Sequence, residues 1–217
     1  MSESESTETR RQQRARETRA KLFEAATELI TQQGYHATSV DRIAARAGVA
    51  KATFFVHFAS KAEIIAALMH IQTDYARKAR EAALPEGPLE AMRAMVETLG
   101  KQAARSRTLS RGVLAATLES EEIGGAASAL FDEVLAEMTA DAHAAEKAGL
   151  LAPGVEPDAL ASSLLASYFG ALLTSSLKND TDMNAVLASL VDGTLRSASR
   201  ACEAEPRKSS RRTKTRT

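Results

Sequence analysis

The chain has 217 residues, 44% of them hydrophobic, 28 Lys/Arg against 28 Asp/Glu, and a single cysteine, Cys202. That apolar share supports a packed core and excludes wholesale disorder, and one cysteine excludes an internal disulfide framework or a thiolate zinc cluster. The net charge of zero is unevenly spread: residues 10–61 carry ten Lys/Arg against four Asp/Glu, residues 62–204 twelve against twenty, and residues 205–217 six against one. A basic amino-terminal segment on an acidic body predicts a polyanionic partner for the first part alone.

Residues 1–9 (MSESESTET) have no hydrophobic period and are predicted to be a disordered tail. A first helix is expected from about Arg14 to Gln33, with Leu22, Ala25, Ala26, Leu29 and Ile30 on one stripe and Gly34 as the stop. Thr38 and Asp41 have capping-box spacing before a short helix whose apolar face is Val40, Ile43, Ala44 and Ala47. After Gly48 a second short helix is expected from about Ala50 to Phe58. Ser60 and Glu63 then open a longer one, with Ile64, Ile65, Leu68, Gln72, Tyr75, Ala76 and Ala79 inward.

Leu84–Pro88 breaks that helix. Leu89, Met92, Val96 and Leu99 space the next, Leu109, Val113 and Leu114 a shorter one, and Ala127 to Ala142 a long one. Following the turn-rich stretch 149–157, Asp158 is expected to cap a very apolar helix through Leu177, and a last helix carries Met183 to Ala198. No run alternates as a strand would. The expected fold is therefore all-α, about nine helices without a sheet. No stretch reaches the ~18 apolar residues of a membrane span and no basic-then-apolar leader opens the chain, so a cytoplasmic protein without a membrane partner is expected.

The stretch 38–61, TSVDRIAARAGVAKATFFVHFASK, carries the functional signal. Two helices of about eight residues bury too little surface to stand alone. They make sense as a helix-turn-helix in which Gly48 takes the turn and the second helix lies in the major groove. That helix opens Ala50-Lys51-Ala52-Thr53, a cation and a hydroxyl among small residues that let the backbone approach base edges.

Val40, Ile43, Ala44, Ala47-Gly48-Val49, Thr53, His57-Phe58 and Ser60-Lys61 resemble the DNA-binding signature of the tetracycline-repressor (TetR) family of bacterial regulators. The resemblance implies a three-helix DNA-binding domain at 10–61, a ligand-binding and dimerisation domain at 62–203, and no catalytic residue or cofactor; residues 204–217 read as a basic disordered tail. It implies base-edge contacts from Lys51, Ala52, Thr53, Phe55 and Val56, and phosphate contacts from Ser39, Arg42, His57 and Lys61 with the basic arm Arg10–Arg19. The partner is then a double-stranded DNA operator. This sequence departs from the pattern at Ala50, where Ser commonly caps the recognition helix, at Ala52, where Gly is frequent, and at Phe55, where Tyr is frequent.

The last two expected helices carry more apolar surface than one intramolecular neighbour covers. A homodimer through Leu160, Leu164, Tyr168, Leu172, Val186, Leu187, Leu190, Val191 and Leu195 follows as an expectation. The resemblance further implies a cavity for an unknown small-molecule effector, drawn from Met92, Met95, Val96, Leu99, Thr117, Leu118, Phe131, Met138, Tyr168 and Phe169. Rival readings are a ligand-independent DNA-binding protein and a helical enzyme. His70 with Asp74, and His143 with Glu146, have the spacing of metal ligands, but two isolated pairs read as solvated surface, and no metal is expected.

Overall fold

The structure is a computed structural model that describes residues 3–199, with side chains from residue 10; Cys202 and the basic tail lie outside the described residues. Among these residues the chain forms nine α-helices: α1 (Glu3–Gln33), α2 (Val40–Arg46), α3 (Lys51–His57), α4 (Lys61–Ala83), α5 (Pro88–Ala104), α6 (Arg107–Glu119), α7 (Glu121–Lys147), α8 (Pro157–Leu177) and α9 (Met183–Ala198). A 3₁₀ turn at Leu84–Glu86 sits where the Pro-containing break was expected.

α1 begins well before the expected Arg14. No glycine or proline interrupts the chain before Gly34, and spaced pairs such as Gln13 with Glu17, 3.0 Å apart, support an exposed helix. Gly34 (φ 85°) and Gly48 (φ 71°) occupy the left-handed region and end α1 and α2. The cap of α2 is Ser39, not Thr38: the Ser39 hydroxyl accepts from the Arg42 amide at 3.3 Å, while buried Thr38 donates to the Gly34 carbonyl at 2.8 Å. Ser60 caps α4 as expected, accepting from the Glu63 amide at 3.2 Å. At α8 the cap position is Glu156 with Pro157 at the first helical position, and Asp158 lies within the first turn.

Three apolar clusters organise the molecule. The amino-terminal head packs Leu22, Ala25, Ala26 and Leu29 of α1 against Ile43, Phe54, Phe58 and Ile64. Its core thus reaches past residue 61 into the first turn of α4. A second cluster joins head to body: Ile30, Ala62 and Ile65 meet Ala116 of α6 and Ile123 of α7. The third fills the body between α4, α5, α7, α8 and α9. At one point α5 and α9 approach so closely that a Cβ on Gly100 would overlap the Leu187 δ-methyl. Tyr75, expected inward on α4, is 49% exposed; Thr73 takes the buried position, its hydroxyl returned to the Met69 carbonyl at 3.0 Å.

Charge ties tighten the body. Arg80 holds the buried Asp141 carboxylate through two bonds of 2.6 and 2.7 Å, and Arg77 bridges to Glu137 at 2.7 Å and Glu133 at 2.8 Å, fixing α4 to α7. Hydrogen bonds to these carboxylates hold both guanidinium pKa values above the ordinary arginine value. α8 is the one described helix long and apolar enough to cross a membrane, and here it packs against α5, α7 and α9.

Candidate functional site

α3 is held from beneath and left bare on top. Phe54 and Phe58, both essentially inaccessible, anchor it in the head's core with ring centroids 5.8 Å apart. Seven residues would not stay helical without that anchor. The carboxyl end is held by Arg19, whose guanidinium donates to the His57 carbonyl, lies 4.0 Å over the Phe58 ring, and pairs with Glu63 at 3.7 Å. Arg19, which the sequence reading grouped with the basic arm, is thus committed within the head. At the other end Ala50 offers no side-chain cap, as the departure from the usual Ser led one to expect.

The opposite side of α3 presents Lys51 and Ala52, both exposed, then Phe55 at 52% and Val56 at 79% exposure. Spaced at i, i+1, i+4 and i+5, they form one face of two short turns. Thr53 and His57 are half-buried along its flank. Lys51 pairs with Asp41 of α2 at 3.0 Å, and with both side chains more than half exposed this tie is weak enough to exchange for another anion. Ser39 and Arg42, one turn apart at the start of α2, are also exposed. The Ser39 oxygen accepts from the helix, so its O–H remains a donor.

Lys61 is placed differently from the sequence reading. Its ammonium turns inward, donating to the carbonyls of Tyr35 (2.7 Å) and Thr38 (2.9 Å) and lying 3.8 Å over the Tyr35 ring. Burial pushes its pKa below the ordinary lysine value, and burial with the nearby Glu122 carboxylate pushes the Tyr35 phenol up. Lys61 therefore fastens the α1–α2 turn to α4. Two further ties bind the head to the α6–α7 corner: Ser60 donates to Glu122 at 2.8 Å, and His36 lies 2.7 Å from Glu119.

The body contains an apolar cavity of about 130 Å³. Leu99, Thr117, Phe131, Tyr168 and Phe169 line it, as the sequence reading proposed. Met92, Met95, Val96 and Met138 do not. Each is fully buried in the body core, which helical spacing alone cannot distinguish from a cavity wall. Leu118 is 79% exposed at the end of α6. The walls missed are Met69, Gln72 and Thr73 of α4, Val113 and Leu114 of α6, Ala127, Leu130 and Val134 of α7, and Leu165 and Leu172 of α8. Gln72 was the available clue, a polar residue inside the apolar stripe of α4.

The expected dimer face is also corrected. Leu160, Leu164, Leu172, Leu187, Val191 and Leu195 are buried within one chain, and Tyr168 and Val186 pack partly against the same core. Of that set Leu190 alone, 42% exposed, faces out. The outward side of α8 and α9 instead presents Ala166, Gly170, Leu173, Leu177, Ser189 and Gly193. His70 and Asp74 are exposed, and His143 lies 3.6 Å from Glu146 and 3.5 Å from Asp158.

Solved structures with this architecture include SmeT, the repressor of the Stenotrophomonas maltophilia multidrug efflux pump SmeDEF (TM-score 0.71, 22% identity, covering 85% of this chain and 91% of SmeT). Another is NalD, the secondary repressor of the MexAB-OprM multidrug efflux pump in Pseudomonas aeruginosa (TM-score 0.69, 20% identity, covering 87% of this chain and 99% of NalD). At such identities they show the fold alone. Residues 22–68, which span the head from α1 into α4, match the family model for bacterial regulatory proteins of the tetR family. Over those residues the head of the chain is similar to that family. Among curated relatives, the HTH-type transcriptional activator FasR of Mycolicibacterium smegmatis is 43% identical over 58 residues, 27% of this chain and 26% of FasR. The HTH-type transcriptional regulator TtgR of Pseudomonas putida is 34% identical over 90 residues, 40% of this chain and 43% of TtgR. These matches therefore span less than half of either relative, and the tetR family is one of regulators rather than enzymes.

Proposed function

We propose that this chain is a tetR-family transcriptional repressor that holds an inverted-repeat operator as a dimer and releases it when a small apolar or amphipathic molecule enters the body. The observation that carries the reading is the bare face of α3, four side chains aimed away from a helix otherwise locked into the core. In this reading residues 10–61 are the DNA-binding domain. Lys51, Ala52, Thr53, Phe55 and Val56 meet base edges, and Ser39, Arg42 and His57 meet phosphates. Phe55 offers a thymine methyl an apolar contact where a tyrosine would offer a hydroxyl.

Residues 62–203 bind the effector and the second subunit. The outward stripe of α8 and α9, small residues flanked by Leu173, Leu177 and Leu190, suits close packing of two helical hairpins into a four-helix interface. A two-fold dimer places its reading heads one DNA turn apart, about 34–36 Å. Leu173→Arg should then give a monomer in sedimentation and lose the paired half-sites.

Release follows from the position of α6 and α7. Val113, Leu114 and Thr117 of α6 and Leu130 and Phe131 of α7 line the cavity, while the corner between these helices grips the head through Ala116, Ile123, Glu119 and Glu122. A ligand that separates the walls moves the grip, by no more than its differential affinity for the two arrangements allows. A fold relative solved as a SmeT–triclosan complex supports a ligand in this architecture. Selecting bound duplexes from random DNA, with and without fractionated metabolites, tests the reading. An enriched inverted repeat that a fraction releases is expected, and an operator indifferent to every fraction would contradict it. The name of FasR favours a second reading, an activator; a reporter behind the selected operator that rises with the protein would establish that reading instead.

A further inference from the structure

We propose that the body cavity selects an uncharged, single-ring molecule carrying one hydrogen-bonding group, a substituted phenol being the type, and that Gln72 and Tyr168 read that group. The proposal rests on the effector reading only for its consequence on DNA; binding itself is measured without DNA.

Size sets the first limit. At about 130 Å³ the cavity is close to the roughly 150 Å³ apolar hole that takes up one benzene, so one ring fills it. Charge sets the second. Fifteen residues from α4, α5, α6, α7 and α8 line the space and none of them is ionised at neutral pH. A carboxylate or ammonium drawn in would leave water without gaining a counter-ion, the most costly kind of burial.

Hydrogen bonding sets the third. Four lining residues have polar side chains: Gln72, Thr73, Thr117 and Tyr168. Thr73 returns its hydroxyl to the Met69 carbonyl at 3.0 Å and Thr117 to the Val113 carbonyl at 2.9 Å, one turn back along their own helices. The Gln72 amide and the Tyr168 hydroxyl have no such commitment within the described residues. Burial alone pushes the Tyr168 phenol up to about 12, so it stays a neutral O–H donor at any physiological pH. The amide supplies both donor and acceptor. A ligand hydroxyl, which donates and accepts, satisfies this pair, whereas a plain hydrocarbon leaves both groups unpaired. Phe131 and Phe169, with ring centroids 5.7 Å apart, supply aromatic wall for the ring.

The test measures calorimetric binding of four probes sharing one tolyl ring: p-cresol, toluene, 4-methylbenzoate and 4-methylbenzylammonium. The expected order places p-cresol about 3–10-fold above toluene, the worth of one net hydrogen bond. Both charged probes should fall at least ~100-fold below p-cresol. Raising the pH through the cresol's own ionisation, near 10, should abolish its binding. In Tyr168→Phe and Gln72→Leu the ratio of p-cresol to toluene should fall toward one; because the ratio is taken within each protein, a loosened cavity cannot imitate that result. A charged probe binding as tightly as p-cresol, a wild-type ratio of one, or no binding of any probe would overturn the proposal. Cresol binding as expected with unaltered affinity for a selected operator would uphold the ligand class and remove the effector reading.

Discussion

α3 and α8 use apolar residues in opposite ways. α3 has seven residues and uses two phenylalanines as anchors, so that Val56 is left outside and Phe55, edge-on to the Phe54 ring at 5.3 Å, still exposes about half its surface. α8 has 21 residues and is apolar on nearly every side: Leu160, Leu164, Leu165 and Leu172 fill the core, Tyr168 and Phe169 border the cavity, and Leu173 and Leu177 face outward. An exposed apolar residue on a short, well-anchored helix carries information about a partner. On a helix apolar all round, identity alone does not say which side chain meets core, ligand or second subunit.

The contrast predicts that body and head fail differently. Asp141→Ala should cost the most, about 3–5 kcal/mol in urea unfolding, because it leaves the Arg80 guanidinium partly buried without its carboxylate. Lys51→Ala, which removes an exposed pair in the head, should cost less than about 1 kcal/mol by the same assay. Comparable losses from the two would erase the distinction.

Thr53→Ala comes next. It should weaken the selected operator by about 1–3 kcal/mol while leaving random duplex and the melting curve nearly unchanged; equal weakening on both DNAs would show that Thr53 supports the helix rather than reads bases. Ala50→Ser should stabilise the head by about 1 kcal/mol, visible as a higher melting temperature, by giving α3 the cap it lacks.

The smallest effect is in acid. Arg93, hydrogen-bonded to Asp192, holds that carboxyl below the ordinary carboxylate value, so the stabilisation is present above an ordinary Asp pKa of about 3.9 and disappears as pH falls through the lower folded value. Arg93→Met should remove that part of the acid dependence; an unchanged stability profile below pH ~4 would show that the tie contributes nothing.

The all-helical fold, the breaks at Gly34, Gly48 and Pro85, and the reading head were legible because each rests on local chemistry: a stripe, a cap, a left-handed glycine. The bare face of α3 was legible for the same reason, since Lys51, Ala52, Phe55 and Val56 are what remains once Phe54 and Phe58 turn inward. Lys61 was not. Its inward turn depends on two carbonyls of the α1–α2 turn, more than twenty residues away. Nor did spacing separate Met95, fully packed, from Leu99, which borders the cavity one turn later on the same stripe of α5. The outward face of α8 was hidden by its smallness. Ala166 and Gly170 carry little hydrophobic signal, and four of the leucines that do carry it, Leu160, Leu164, Leu165 and Leu172, point inward.

The central claim, that α3 reads DNA through its bare face, is tested most directly by titrating the Lys51→Ala/Thr53→Ala double variant against the selected operator and a scrambled duplex in parallel. With folding checked by its melting curve, the double variant should lose about 100-fold or more on the operator and little on the scrambled DNA. Unchanged operator affinity, or equal loss on both duplexes, would contradict it.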